Sequence, residues 1–202
     1  MTSDPPRAVT LSDLSMLTLR ANVAFAVRCA RRLRPCFKLP LDAPHRIEQI
    51  AVVDAAIGVA TAFCQGEPLE PGRAAAAVLA ATVVAEETCD FTLFAGYGAV
   101  RAAEAAANAE AFVNQQNESS SMEVVAAAFG AGRVLAANAD AFTLATVVHA
   151  LHVDLENLLI LAPGFNQNLG LPVDASEDGP LGPYWPVGTP ACFAPNAPLA
   201  GE

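Results

Sequence analysis

Three side chains on one predicted helix could hold a metal ion. His149, His152 and Glu156 fall within about 60° on a single face at helical periodicity. Two imidazoles and a carboxylate suit zinc or iron. A di-iron helical site also needs Glu-x-x-His motifs and carboxylates on facing helices. Glu86, Glu87 and Asp90 are the only acidic cluster that could face them. The simpler reading of His149, His152 and Glu156 is a partly buried polar stripe, and no bound metal or cofactor is expected. Nucleophilic catalysis finds no better support. There is no Gly-x-Ser-x-Gly elbow, and Cys29, Cys64 and Cys89 sit among apolar helical positions as small core hydrophobes. Gly96-Tyr97-Gly98 is too short for a phosphate loop and has no strand before it.

The arginines are more informative. On a helical wheel Phe25, Ala26, Cys29 and Leu33 share one face, and Arg20, Arg28, Arg31 and Arg34 gather opposite. Such an arc has three uses. It docks on carboxylates of the same chain, it is solvated, or it binds an anionic ligand or partner. We expect at least two of the four to pair within the chain, with acidic helices or with Asp174, Glu177 or Asp178. Tyr184 and Trp185 pose a similar choice. Large aromatics in an aromatic-poor chain seek burial, so the segment that carries them is expected to fold back on the helices. The alternative is a free proline-rich ligand for another domain.

These residues need helices to position them. A first helix is expected from a cap at Thr10 or Ser12 to Arg34, where Pro35 stops or kinks it. A second runs from Pro44 to Cys64 and a third from Pro71 through the Ala74–Ala85 run. A break is expected between Glu87 and Gly98, then a fourth helix over Ala99–Val113. Asn114–Ser121 reads as a loop, with Ser120 and Glu123 as a capping box for a fifth helix. A sixth spans Ala139–Leu161 on the stripe Leu144, Val148, Leu151, Leu155 and Leu158, and Pro163-Gly164 ends it. The last 40 residues hold eight of the 15 prolines and six of the 13 glycines, so they form an extended tail. The fold class expected is all-α: a bundle of about six helices over residues 1–162, with an extended Pro/Gly-rich C-terminal tail, 163–202, packed on it.

Composition agrees. Of 202 residues, 43 are alanine, which favours closely packed helices over a β-sandwich. Charge is uneven: +5 over residues 1–46, −8 over 47–133 and −7 beyond, for a net charge of −10. That balance argues against nucleic acid as a partner. The N-terminus lacks the pattern of a signal peptide, and no run of 18 strongly apolar residues suggests a membrane span. Five scattered cysteines without CxxC spacing read as reduced thiols of a cytoplasmic protein.

The run Cys29-Ala30-Arg31-Arg32-Leu33-Arg34-Pro35-Cys36-Phe37, followed by Pro44-His45-Arg46-Ile47-Glu48-Gln49-Ile50 and closed by Gly66-Glu67, resembles the opening of bacterial alanine-rich helical immunity proteins. The likeness covers about residues 20–110, the later part in composition only, and the tail departs from it. It implies a small cytoplasmic toxin inhibitor without catalysis, whose acidic surface suits a basic toxin domain. The expectation is therefore a non-enzymatic protein-binding module with a basic protein partner. A metal- or small-molecule-binding helical protein using His149, His152 and Glu156 is the alternative. A self-associating homo-oligomer is a third reading.

Overall fold

A computed structural model describes residues 7–88, 90–115, 118–140 and 143–194. Among these residues the chain forms seven α-helices and no strand: α1 Leu11–Ser15, α2 Leu19–Leu33, α3 Arg46–Cys64, α4 Arg73–Glu86, α5 Asp90–Gln115, α6 Glu118–Ala137 and α7 Leu144–Leu161. The protein is all-α.

The expected first helix is two helices, and the interruption has a physical cause. Leu17 leaves the helix to form an antiparallel bridge with Pro163. The amides of Leu19 and Arg20, in the first turn of α2, donate to the carbonyls of Asn168 (2.9 Å) and Leu169 (3.0 Å). Amides at a helix start have no partner within the helix, so a neighbouring segment that supplies carbonyls fixes where the helix restarts. Asn22 holds the corner, donating from Nδ2 to the carbonyls of Leu14, Leu17 and Thr18 at 3.1 Å each. Thr10 and Asp13 close a reciprocal capping box on α1. Pro35 ends α2 in a short 3₁₀ turn, Arg34–Cys36.

Helix α2 is the axis of the molecule. Thirteen of its 15 residues are buried, and α3, α5, α6 and α7 pack around it. Alanine makes this close packing workable. Ala95, Ala99, Ala102, Ala103, Ala105, Ala106 and Ala109 of α5 are all buried.

Helix α5 corrects a second expectation. The break falls at the start of the expected window, and Gly96 and Gly98 lie inside one 26-residue helix. A Cβ on Gly96 would stand 2.9 Å from the Ala85 Cβ of α4, and one on Gly98 would stand 2.7 Å from the Leu33 Cδ1 of α2. Both distances are too short for real atoms. The glycines admit neighbouring helices, and packing outweighs the roughly 1 kcal/mol that each costs in helix propensity. Helix α5 runs on to Gln115 and α6 begins at Glu118, so most of the loop expected over 114–121 is helical. Ser120 and Ser121 are buried within α6 rather than forming its cap, because the helix starts earlier than the serines. Helix α7 starts at Leu144 instead of Ala139, and Leu144 is exposed while Leu151, Leu155 and Leu158 face the core.

Residues 163–194 form one further short 3₁₀ turn, Ala191–Phe193, and are otherwise irregular. Val173, Ala175, Leu181, Trp185 and Phe193 are buried, and the Val173 amide donates to the Cys64 carbonyl at the end of α3 (2.7 Å). Helices α3 and α7 are long and apolar enough to cross a membrane by length and composition alone. Here each turns one side to the core: Val53, Ala56, Ile57 and Ala60 from α3, Val147, Leu151, Leu155 and Leu158 from α7.

Candidate functional site

Positions 28 and 32 lie one turn apart on α2, so their side chains rise from the same face. Opposite them α7 presents Asp154, a lone carboxylate between Leu151, Leu155 and Leu158. Arg28 Nε donates to Asp154 Oδ1 at 2.8 Å, and Arg32 Nη1 donates to Oδ2 at 2.5 Å. All three side chains are fully buried. Charges taken from water so completely are tolerated only with close pairing and saturated hydrogen bonding.

Two guanidiniums face one carboxylate, which leaves an excess positive charge in the interior. The C-terminal segment answers it. Arg28 Nη1 donates to the Ser176 carbonyl (3.2 Å), and Nη2 donates to the carbonyls of Gly182 (3.0 Å) and Pro183 (2.9 Å). Arg32 Nε donates to the Tyr184 carbonyl (2.7 Å). The Arg28 guanidinium lies 4.9 Å from the centre of the Tyr184 ring, and that of Arg32 lies 5.5 Å from the Trp185 ring, both within cation–π range. Trp185 stacks in turn on Phe193 at 5.1 Å. A segment rich in proline and glycine suits this task. It engages few of its carbonyls in regular structure, so they remain free to accept. One donor, Arg32 Nη2, is buried without a partner among the described residues. Cys29 lies beside this cluster, and burial pushes its thiol up to about 12, which makes it a neutral packing group.

The four arginines of the expected arc go to four different environments. Arg20 is half-buried and donates from Nη1 to the Gly170 carbonyl (3.0 Å). Arg28 is in the buried clamp formed with Arg32, Asp154 and the C-terminal segment, and Arg31 is exposed. Arg34 grips Asp54 of α3 in bidentate fashion at 2.5 and 2.9 Å. The guanidinium of Arg34 holds the Asp54 carboxyl below the usual carboxylate range. Arg28 and Arg34 therefore pair inside the chain, but with Asp154 and Asp54, while Asp174, Glu177 and Asp178 receive none of these ion pairs. Asp174 instead accepts from the Ser176 amide (2.9 Å), which lowers its pKa. Tyr184 and Trp185 belong to the clamp rather than to an open surface.

Sequence reasoning missed Arg32 and Asp154. The signal was present in both: Arg32 follows Arg28 at i+4, and Asp154 occupies a stripe position three after Leu151 and four before Leu158. His149, His152 and Glu156 are not drawn together with further ligands. Glu156 is exposed, and His152 Nε2 meets the backbone carbonyl of Arg7. Among the described residues no three His, Cys, Asp or Glu side chains gather to hold a metal. Of the acidic cluster proposed to face them, Glu87 instead accepts from Gln49 of α3 (3.1 Å).

Two hollows remain. An apolar cavity of about 200 Å³ lies among Phe25, Phe129, Val148 and Leu151, with Arg133 at its edge. A more polar cleft of similar size joins Arg20, Glu67 and Glu110. The outer side of α4 is distinctive in another way. No charge occurs between Arg73 and Glu86, yet Leu79 is 70% and Val83 54% exposed. No family model, curated protein or solved structure matches this chain.

Proposed function

We propose that this chain is a non-enzymatic protein-binding module that docks a basic protein on the outer side of α4, with toxin neutralisation as the most specific form of that role. The observation that carries the reading is the uncharged, exposed face of α4. Ala76, Leu79, Ala80 and Val83 repeat at helical spacing on the side turned from the core. Burying an exposed leucine or valine against a partner contributes about 1.5–3 kcal/mol each. Exposed carboxylates of Glu70, Glu86 and Glu87 stand at the ends of this face and outnumber its one exposed cation, Arg73. An apolar centre with an acidic rim suits a partner of the opposite charge. The arginines are less suited to that role, since Arg28, Arg32 and Arg34 already have partners within the chain.

The test compares proteins captured by the wild type with those captured by Leu79→Asp, both from the lysate of the source cells. The expected outcome is a basic protein that binds the wild type, escapes the variant and weakens as salt rises. Equal capture by both, or capture insensitive to salt, overturns the reading. A dependence of size on concentration that Leu79→Asp abolishes would assign the same face to a second copy instead.

A second reading, small-molecule binding, has support in the apolar cavity beside Phe25 and Val148. Its walls suit a small apolar ligand, and Arg133 at the edge suits an anionic head. A rise in melting temperature with octanoate, lost in Val148→Phe, is the outcome that would favour it.

A further inference from the structure

We propose that Cys36 and Cys192 form a redox-modification site, closing into a disulfide by exchange with a low-molecular-weight disulfide such as oxidised glutathione. Cys36 ends the 3₁₀ turn after α2, and Cys192 lies at the centre of the 3₁₀ turn Ala191–Phe193. The two turns pack on each other although 156 residues separate the cysteines. The Cys36 Sγ already lies 3.4 Å from the Cys192 carbonyl oxygen, and the Cys192 Sγ lies 3.9 Å from Thr143 Oγ1. Closure requires the Cys192 side chain to leave Thr143 and rotate toward Cys36.

The other described cysteines are not arranged this way. Cys29 and Cys64 are buried, whereas Cys36 and Cys192 are both partly open to solvent. Two features hold the second turn in place. Phe193 is buried against Trp185, and Pro190 restricts the backbone at the entry to the turn. Pro35 does the same in the first turn. Burial pushes the Cys36 thiol up to about 11, and the nearby Cys192 adds to the rise, which is consistent with this proximity.

Closure takes two exchange steps. The thiolate of Cys192 attacks one sulfur of oxidised glutathione and releases the first glutathione thiolate, which takes up a proton. Cys36 then loses its proton, and its thiolate attacks the Cys192 sulfur of the mixed disulfide and expels the second glutathione. Two protein thiols lose two electrons and two protons, and the glutathione disulfide gains both as two thiols. The product ties the segment that covers the arginine clamp to the end of the helix that carries the clamp.

Trypsin isolates both cysteines. Cleavage after Arg32 and Lys38 is expected to leave Leu33–Lys38, with Cys36 alone, because Pro35 protects the bond after Arg34. Cleavage after Arg133 leaves 134–202, which has no Lys or Arg and has Cys192 alone. The full chain is treated with oxidised glutathione, alkylated, digested and examined by mass spectrometry. The expected result is the cross-linked pair of these two peptides, a fall in titratable thiols from five to three, and reversal by dithiothreitol. Neither Cys36→Ser nor Cys192→Ser should yield the pair. A stable glutathione adduct on Cys192 without closure, a cross-link to another cysteine, or five thiols remaining even after diamide would each overturn the proposal.

Discussion

Helices α2 and α4 reverse the usual distribution of charge. Helix α2 contains Arg20, Arg28, Arg31 and Arg32, yet it is the most enclosed helix of the molecule. Helix α4 has no charge between its terminal residues, yet one whole side of it faces solvent. The contrast shows that composition alone does not assign a helix to the interior. What decides the place of α2 is a partner set for its charges: one aspartate, four backbone carbonyls and two aromatic rings. Helix α4 needs no such set, because alanines on its inner side give neighbouring helices a smooth surface. Its outer Leu79 and Val83 stay largely exposed, which is the basis of the docking face proposed above.

The sharpest way to break this comparison is to remove the common acceptor of the clamp. Asp154→Ala leaves two buried guanidiniums without a counter-charge, and a loss of about 3–5 kcal/mol is expected in urea unfolding. Arg32→Met should cost less. It removes the excess positive charge together with the unpartnered Nη2 donor, and it keeps Arg28 paired with Asp154. If Arg32→Met is as damaging as Asp154→Ala, the excess charge is not the weak point of the cluster, and the carbonyls of the C-terminal segment contribute more than the ion pairs.

The next effect tests how α4 is held. Gly96→Ala replaces a poor helix former with a good one, which in an open helix would gain about 1 kcal/mol. Here the new Cβ meets the Ala85 Cβ at 2.9 Å and the Ala85 Cα, a backbone atom, at 3.2 Å. Overpacking of this kind costs about 1–3 kcal/mol, so a net loss of stability is expected by calorimetry. A gain would mean that α4 shifts freely on α5. Leu79→Asp on the opposite side should alter stability by no more than about 0.5 kcal/mol, as for an ordinary surface position. Loss of capture in the proposed binding test would then report the surface alone.

Legibility in the sequence followed the range of the interactions. The C-terminal end of α3 and the whole of α4 were close to expectation because local signals specify them: Gly66 closes one and Pro71 opens the other. The division of α1 from α2 was not legible, since it depends on carbonyls at Asn168 and Leu169, about 150 residues away. Helix α5 was misjudged for a related reason. Gly96 and Gly98 read locally as breakers, and only the neighbours at Ala85 and Leu33 reveal them as sites of close approach. At the site, the wheel separated arginines from apolar residues and so set aside a helix buried on both sides. Arg32 and Asp154 were visible as residues but not as a pair, because nothing in either helix specifies which helix faces it.

Arg34 and Asp54 repeat the chemistry of the clamp in water, which makes them the finest control on it. The pair is bidentate, but half of the Asp54 side chain is exposed (51%), so solvent and salt screen it. Its expected contribution is about 0.2–1 kcal/mol, well below that of the buried cluster. The pH dependence follows from the direction of the shift. Arg34 lowers the folded-state pKa of Asp54 below its unfolded value, so the stabilisation is complete above the unfolded pKa, near 4. It is lost as pH falls through the lower, folded value. The stability difference between the wild type and Arg34→Gln, measured by urea unfolding, should therefore be constant around neutrality and shrink below about pH 4. It should also shrink in high salt. A difference that persists in acid and in salt would show that Arg34 acts by packing its stem on α3. Exposure would then no longer be what separates this pair from Arg28, Arg32 and Asp154.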